Sequence, residues 1–424
     1  MVVVTSLDNG LKIVLKPIPD ATAVSVWVTY KIGSRNERPG MTGSTHWVEH
    51  MLFKGGGQLK KGDIDTLTSR LGGKNNAFTD TDFTAYFETL PAGYVDTGLF
   101  IEAERMRNAA FEPQEFESER TVVISEREGA ENIPEFLLEE ELWGLAFHIH
   151  PYHWLPIGYK QDLINLDRDT TFQHYLRYYA PNNATMFIIG GFEEKSTMKR
   201  IRERFSGFRP EKPPDPMILR EPPQMGERRA VINKPGSVDH IEIGWHVPEF
   251  MHEDTPKLAV LSAVMAGWKG YNPFGIGWRP RSNRFYKALI ETNLATEVSC
   301  RSEVKVDPTL FIAQAAVKSG VRIEKVEDTL LEEIEKIKTR QPLKTELALA
   351  KTQMQAWRGF DNDGVTFQGM MMAFFEVVGG LEGHERFMAA VDRVKPKDVQ
   401  EVARKYFTEN NRTVVHFNAQ EVNA

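Results

Sequence analysis

The sequence contains a single cysteine, Cys300, among its 424 residues. No disulfide framework can therefore form within the chain, and a zinc site built on cysteine thiolates is excluded as well. No apolar run approaches the roughly 18 residues that a membrane-spanning helix needs. We therefore expect a protein without a membrane span.

The sequence also lacks a strong excess of charge of either sign. Its net charge is −7, so we expect no nucleic-acid partner. The first residues, MVVVTSLDNG, contain no basic segment followed by an apolar one, and no signal peptide is predicted. A removed signal peptide stays open, so the expected compartment of this soluble chain is either the bacterial cytoplasm or the periplasm.

A proline-rich, charged segment divides the chain near its middle, and strand-like and helix-like patterns restart after it. We predict a first domain over 1–212, a linker over 213–229 and a second domain over 230–424. The two halves resemble each other in the order of their patterns. We therefore predict an α+β fold of two homologous αβ domains of about 200 residues, each a mostly antiparallel sheet packed with helices.

Several local patterns predict individual elements. Asp8-Asn9-Gly10 predicts a hairpin turn, and 76–90 alternates in β fashion through Phe83, Ala85 and Phe87. Pro113 begins a long helix that is predicted to run to about Gly129, and another helix is predicted over 282–290. The glycine- and tryptophan-rich segment 267–284 fits no phosphate-binding pattern and is predicted as a mobile surface loop.

The run GSTHWVEHMLFKGG contains the pattern H-x-x-E-H at His46, Glu49 and His50. If the run is helical, the two histidines lie one turn apart on the same face, which makes them a possible pair of metal ligands. Glu49 is then a spare carboxylate beside the pair. Three hydroxyl side chains are candidate caps of this helix: Thr42, Ser44 and Thr45.

A catalytic zinc ion usually takes three protein ligands and leaves a fourth position open. Many carboxylates downstream could supply the third: Glu102, Glu104, Glu119, Glu126, Glu128 and Glu131. Glu119 and Glu126 are seven residues apart and share a helix face, whereas Glu128 points elsewhere. This pattern alone leaves the third ligand undecided.

With these residues the sequence resembles the pitrilysin/insulinase-like zinc peptidases, which carry the inverted motif H-x-x-E-H, in the branch that includes mitochondrial processing peptidase. Family members carry a ligating glutamate some 76 residues after the motif, and counting 76 residues from His50 reaches Glu126. A further acidic residue lies seven positions earlier, as Glu119 does here. The family's Asn-Ala-x-Thr strand is matched by 76–79.

The resemblance implies a role for each matching residue. His46, His50 and Glu126 would bind one zinc ion, and Glu49 would act as the general base in peptide-bond hydrolysis. Glu119 would orient a ligand histidine. An extended peptide substrate would pair with the strand residues Asn76, Ala77 and Phe78.

One departure from the family pattern concerns the second half. Active members need an arginine and a tyrosine there, seven residues apart, and the matching positions hold Leu289 and Thr296. The resemblance therefore implies the zinc-carrying subunit of a heterodimer, completed by a homologous companion that carries the pair; a homodimer is less favoured. The alternatives are a non-catalytic assembly subunit and a peptide-binding module with a structural zinc ion.

Overall fold

The computed structural model describes residues 2–212, 219–268, 270, 282–360 and 364–420. The chain forms two compact units. The first contains Met1–Glu128, Trp154–Leu219 and Asp361–Val377, and the second contains Gly129–His153, Arg220–Phe360 and Val378–Ala424. Each unit therefore includes a segment from the other half of the sequence. The domain boundaries at 212 and 230 therefore stay a prediction.

The strands of the first sheet are β1 (Val3–Ser6), β2 (Lys12–Pro17), β3 (Ala23–Tyr30), β4 (Lys74–Thr79), β5 (Thr84–Pro91) and β6 (Ala184–Gly190). Those of the second sheet are β7 (Arg228–Pro235), β8 (His240–Val247), β9 (Ala295–Ser302), β10 (Thr309–Val317) and β11 (Arg412–Gln420).

The helices, in chain order, are α1 (Ser44–Met51), α2 (Asp63–Arg70), α3 (Val95–Arg107), α4 (Pro113–Ala130), α5 (Pro134–Ala146), α6 (Lys160–Asn165), α7 (Arg168–Tyr178), α8 (Glu194–Phe205), α9 (Thr255–Ala266), α10 (Ile323–Thr339), α11 (Lys344–Phe360), α12 (Val365–Val378), α13 (Gly383–Arg393) and α14 (Pro396–Tyr406). A short π-helical turn spans Tyr286–Ile290. No helix in the described part of the chain is both long and apolar enough to cross a membrane.

The two sheets have the same topology. The first has the order β1-β2-β6-β3-β5-β4 and the second β7-β11-β8-β10-β9. Each sheet contains one parallel pair, β2 with β6 in the first sheet and β7 with β11 in the second. All other neighbouring strands are antiparallel. Only β1 lacks a counterpart among the described strands. This repetition confirms the predicted α+β fold of two homologous, mostly antiparallel domains.

Each sheet is covered on one face by a helix from the other half of the sequence. Helix α12 packs on the first sheet, where Gly369 lies against the indole of Trp27 and Lys12 forms an ion pair with Glu376 at 2.7 Å. Helix α5 packs on the second sheet, where Leu142 contacts Gly244. The central strands β3 and β6 are almost wholly buried, as expected for near-continuous apolar runs.

Several local predictions can be compared with the structure. The turn at Asp8–Gly10 is confirmed, since β1 and β2 form a hairpin and Gly10 has φ of 88°. The β pattern over 76–90 is confirmed, and it comprises two strands. The segment folds as the hairpin of β4 and β5, closed by a hydrogen bond from Asp80 N–H to the carbonyl of Phe83 at 2.8 Å.

The segments around the two predicted loops are only partly described. Within the predicted linker, 213–218 lies outside the described residues, and β7 already begins at Arg228. Most of the predicted loop 267–284 also lies outside them. Within the predicted helix over 282–290, the structure has a short helical segment that begins at Arg284 and ends in the π-helical turn.

Candidate metal centre

Helix α1 buries one face and turns its motif side chains away from the core. Trp47, Val48 and Met51 are fully buried in the first unit, whereas His46 and His50 are half-buried. The predicted hydroxyl caps were wrong, because the N-cap residue is Gly43, with φ of 84°, and it offers no side chain. The carboxylate of Glu37 accepts hydrogen bonds from the first residues of the helix instead.

His46, His50 and Glu126 bring three ligand atoms within 4.8 Å of one another. The Nε2 atoms of the two histidines are 3.2 Å apart, and Glu126 Oε2 lies 3.4 Å from His50 Nε2 and 3.9 Å from His46 Nε2. Two nitrogen atoms bound to one tetrahedral zinc ion at about 2.0–2.1 Å lie about 3.3 Å apart. Both the donor set and its spacing therefore fit a zinc ion.

Glu119 lies on α4, as Glu126 does, and is hydrogen-bonded to one of the two histidines. Its Oε1 accepts a hydrogen bond from His50 Nδ1 at 2.8 Å, and its Oε2 pairs with Lys54 Nζ at 2.5 Å. The Nδ1–H bond fixes the imidazole so that Nε2 points to His46 and Glu126. Glu119 is thus hydrogen-bonded to His50 and lies outside the cluster of possible ligand atoms.

Glu49 points away from the ligand cluster toward strand β4. Its Oε2 accepts a hydrogen bond from the hydroxyl of Thr79 at 2.6 Å. Strand β4 is the outermost strand of its sheet, and it pairs with β5 in a register that places Asn76 opposite Phe87 and Ala77 opposite Tyr86. The structure thus places the predicted base beside the predicted substrate strand, whose outer edge can accept another strand.

The three titratable groups of α1 differ in pKa. Burial raises the pKa of Glu49 to about 7, although the hydrogen bond from Thr79 opposes the rise. Burial and the neighbouring His50 lower the pKa of His46 to about 4. Burial by itself also lowers the pKa of His50, but Glu119 and Glu126 outweigh it and raise that pKa to about 9. A metal ion must therefore displace the proton from His50 Nε2.

Two family models match successive parts of this chain. Residues 12–154 match the model described as insulinase, peptidase family M16, and residues 165–354 match the peptidase M16 inactive domain. Together the two matches cover most of the chain. The chain belongs to the insulinase family of peptidases, family M16.

Individual members of the M16 family are similar along nearly the whole chain. The zinc protease PqqE of Helicobacter pylori is 29% identical over 416 residues, which cover 97% of this chain and 91% of that protein. The beta subunit of the mitochondrial-processing peptidase of Lentinula edodes is 22% identical over 98% of this chain and 89% of its own length. The crystal structure of a protease from Helicobacter pylori superposes with a TM-score of 0.92 at 28% identity, covering 99% of each chain.

Leu289 and Thr296 stand at the two positions where an arginine and a tyrosine are expected in active family members, and both lie in the part that matches the M16 inactive domain. Leu289 is fully buried in the π-helical turn. Thr296 lies on β9, and its hydroxyl donates to the carbonyl of Ala316 at 3.4 Å. Neither side chain carries a cationic or phenolic donor.

Sequence reasoning missed three residues that shape this M16 site. Thr79 belongs to the matched strand, but its bond to Glu49 was not foreseen. Lys54 pairs with Glu119 one turn beyond His50. Glu37 lies in the polar loop before α1, and one feature could have drawn attention to it: Gly43 at the start of the helix has no side chain with which to cap.

Proposed function

We propose that the chain is a zinc metalloendopeptidase that hydrolyses bonds in peptides or unfolded segments. The observation that carries this proposal is the ligand cluster of His46, His50 and Glu126, with Glu49 adjacent but free of the cluster. A catalytic zinc site keeps one position open, and three protein ligands together with a spare carboxylate match that requirement.

His46 and His50 would hold one zinc ion through their Nε2 atoms, and Glu126 would hold it through a carboxylate oxygen. When bound, zinc supplies Lewis-acid chemistry, which polarises a carbonyl and makes water easier to deprotonate near neutral pH. Glu119 keeps the Nδ1 proton of His50 in a hydrogen bond, so that Nε2 stays available as a ligand atom.

Glu49 would move the proton. Thr79 donates to its Oε2, which fixes the carboxylate and leaves Oε1 to accept a proton from the attacking water. The same carboxylic acid can then donate that proton to the amine that leaves. Burial of Glu49 raises its pKa above the usual range of a glutamate, which favours its action as a base and then as an acid.

The outer edge of β4 would bind the substrate. An extended peptide laid along Asn76, Ala77 and Phe78 would form main-chain hydrogen bonds that are independent of its sequence. Its alternate side chains would point to opposite faces, which would leave selectivity to pockets on either side of the strand. A substrate held in this way has to be unfolded or short.

The active enzyme is proposed to be a heterodimer. Leu289 and Thr296 cannot stabilise an oxyanion by donating charge-assisted hydrogen bonds. A homologous companion with an arginine and a tyrosine at these positions would supply the missing donors. The chain would then be the zinc-carrying subunit.

The test measures zinc content and peptide cleavage together. We expect one zinc ion per chain, and cleavage of an unstructured peptide by a mixture of the chain with such a homologue. A chelator should abolish the cleavage, and added zinc should restore it. Equal rates from the chain alone and from the mixture would refute the heterodimer. Zinc binding without cleavage in any combination would favour a non-catalytic subunit or a peptide-binding module.

A further inference from the structure

The metal-binding helix α1 begins without a side-chain cap of its own. Gly43 occupies the N-cap position, and the first N–H groups of any helix have no partner within the helix. Here Glu37 satisfies two N–H groups at the start of the helix: its Oε2 accepts from Gly43 N–H at 2.8 Å and its Oε1 from Thr45 N–H at 2.7 Å. A third donor, the hydroxyl of Ser44, reaches Oε1 at 3.4 Å.

We propose that Glu37 is a positioning residue for the metal site, and that it acts on His46 through the first turn of α1. This inference rests on the proposed zinc site, because it concerns one of its ligands. Glu37 lies nine residues before His46 in the chain and touches no ligand atom in the described contacts. Its effect on metal binding is therefore indirect and passes through the helix backbone.

The two ligand histidines are held in different ways. The ring of His50 is fixed by the hydrogen bond between its Nδ1 and Glu119. The Nδ1 of His46 is buried and has no hydrogen-bond partner within the described part of the chain. The position of the His46 ring therefore depends on its backbone. His46 follows directly after Thr45, whose N–H is bound by Glu37.

Glu37 is itself fixed by the segment that carries it. It is 4% exposed and closes a 3-10 turn formed by Ser34–Asn36. That turn is anchored to the β4–β5 hairpin, because Ser34 N–H donates to the carbonyl of Asp80 at 3.3 Å and Arg35 N–H to that of Thr81 at 3.0 Å. The start of the metal-binding helix is thereby tied to the hairpin that contains the proposed substrate strand.

Replacing Glu37 by glutamine tests this assignment with a nearly isosteric change. The amide offers one carbonyl oxygen to two backbone N–H groups, so one of them must face an NH2 group. A buried donor without an acceptor is costly, and the first turn should relieve the conflict by moving. Such a movement displaces His46 and leaves His50 in its hydrogen bond with Glu119.

Asp162→Asn is the matched control. Asp162 also binds the loop before α1, through Thr42 N–H at 3.1 Å and the Thr42 hydroxyl at 2.7 Å. It makes no hydrogen bond to the N–H groups of the helix in the described contacts. The two variants therefore make the same carboxylate-to-amide change in the same region, but only Glu37→Gln affects the start of α1.

The experiment titrates Co2+ into the metal-free full chain and follows its visible absorption, which reports ligand geometry. Circular dichroism confirms that each variant is folded. We expect Glu37→Gln to bind Co2+ about 10–100-fold more weakly than wild type, with an altered spectrum, as is common when partners that support a ligand are lost. Asp162→Asn should change the affinity by less than about 3-fold.

Wild-type affinity and spectrum in a folded Glu37→Gln variant would overturn the inference, as would equal losses in both variants. If Glu37→Gln does not fold, Glu37→Asp replaces it, since the shorter side chain cannot reach both N–H groups. The same two results, wild-type metal binding or equal losses in both variants, would then overturn the inference. Failure of the wild-type chain to bind Co2+ would instead refute the proposed zinc site.

Discussion

Replacing Glu119 by glutamine should weaken zinc binding without removing a ligand. Glu119 has one oxygen on His50 Nδ1 at 2.8 Å and the other on Lys54 Nζ at 2.5 Å. Glutamine can place its single oxygen on only one of these donors, and its NH2 group must then face the other. Because the side chain is only 5% exposed, water cannot easily replace the lost acceptor.

The size of the effect follows from the bond that is lost. A hydrogen bond to a charged group contributes about 1.5–3 kcal/mol, and loss of a partner that supports a metal ligand commonly costs 10–100-fold in affinity. The two estimates agree, since 10–100-fold corresponds to about 1.4–2.7 kcal/mol. We therefore expect the zinc dissociation constant to rise by about 10–100-fold.

The assay is a competition titration of zinc between the protein and a chromophoric chelator. The control is Glu128→Gln on the same helix. Glu128 is exposed and pairs with Lys160 at 2.6 Å on the surface, so its replacement should change the affinity by less than about 2-fold. An unchanged dissociation constant in Glu119→Gln would refute the claim that Glu119 orients His50.

Two further predictions concern stability. Burial by itself raises the pKa of Glu327, but hydrogen bonds from His416 and Arg229 lower it to about 2. The ionised group therefore stabilises the fold above about pH 4.5, and this contribution is lost as the pH falls toward 2. Urea unfolding should find Glu327→Gln less stable by about 1.5–3 kcal/mol at pH 6, the usual contribution of a hydrogen bond to a charged group, and the difference should be smaller at pH 3. A constant difference would contradict this. Gly369→Ala should cost about 1–3 kcal/mol by overpacking, because its Cβ would lie 2.2 Å from Trp27 Nε1. A stability equal to wild type would show that α12 can move away.

Helix α1, which carries the proposed zinc ligands His46 and His50, could be predicted from the sequence because its geometry is local. His46 and His50 are four residues apart, and any helix through them places both side chains on one face. The third ligand was not decided by the same reasoning. Periodicity grouped Glu119 with Glu126, but their different roles depend on how α4 packs beside α1, which neither sequence segment specifies by itself.

Other features escaped prediction because they depend on distant parts of the chain. The cap of α1 comes from Glu37, outside the positions at which side chains usually cap a helix. Residues 80–83 form the turn between β4 and β5. The alternating patterns of these two strands are continuous in the sequence, so the turn was not predicted. An apolar helix face predicts burial but not the sheet that buries it, so the packing of α5 and α12 on the sheets of the opposite halves was not foreseen.

The most direct test of the proposed peptidase compares Glu49→Gln with wild type, each mixed with the homologous companion. Zinc content and cleavage of an unstructured peptide are measured on the same samples. We expect the variant to retain one zinc ion per chain and to lose at least about 100-fold in cleavage rate, the usual range for loss of a general base. A variant that retains its zinc and cleaves at the wild-type rate would contradict the assignment of Glu49 and the mechanism built on it.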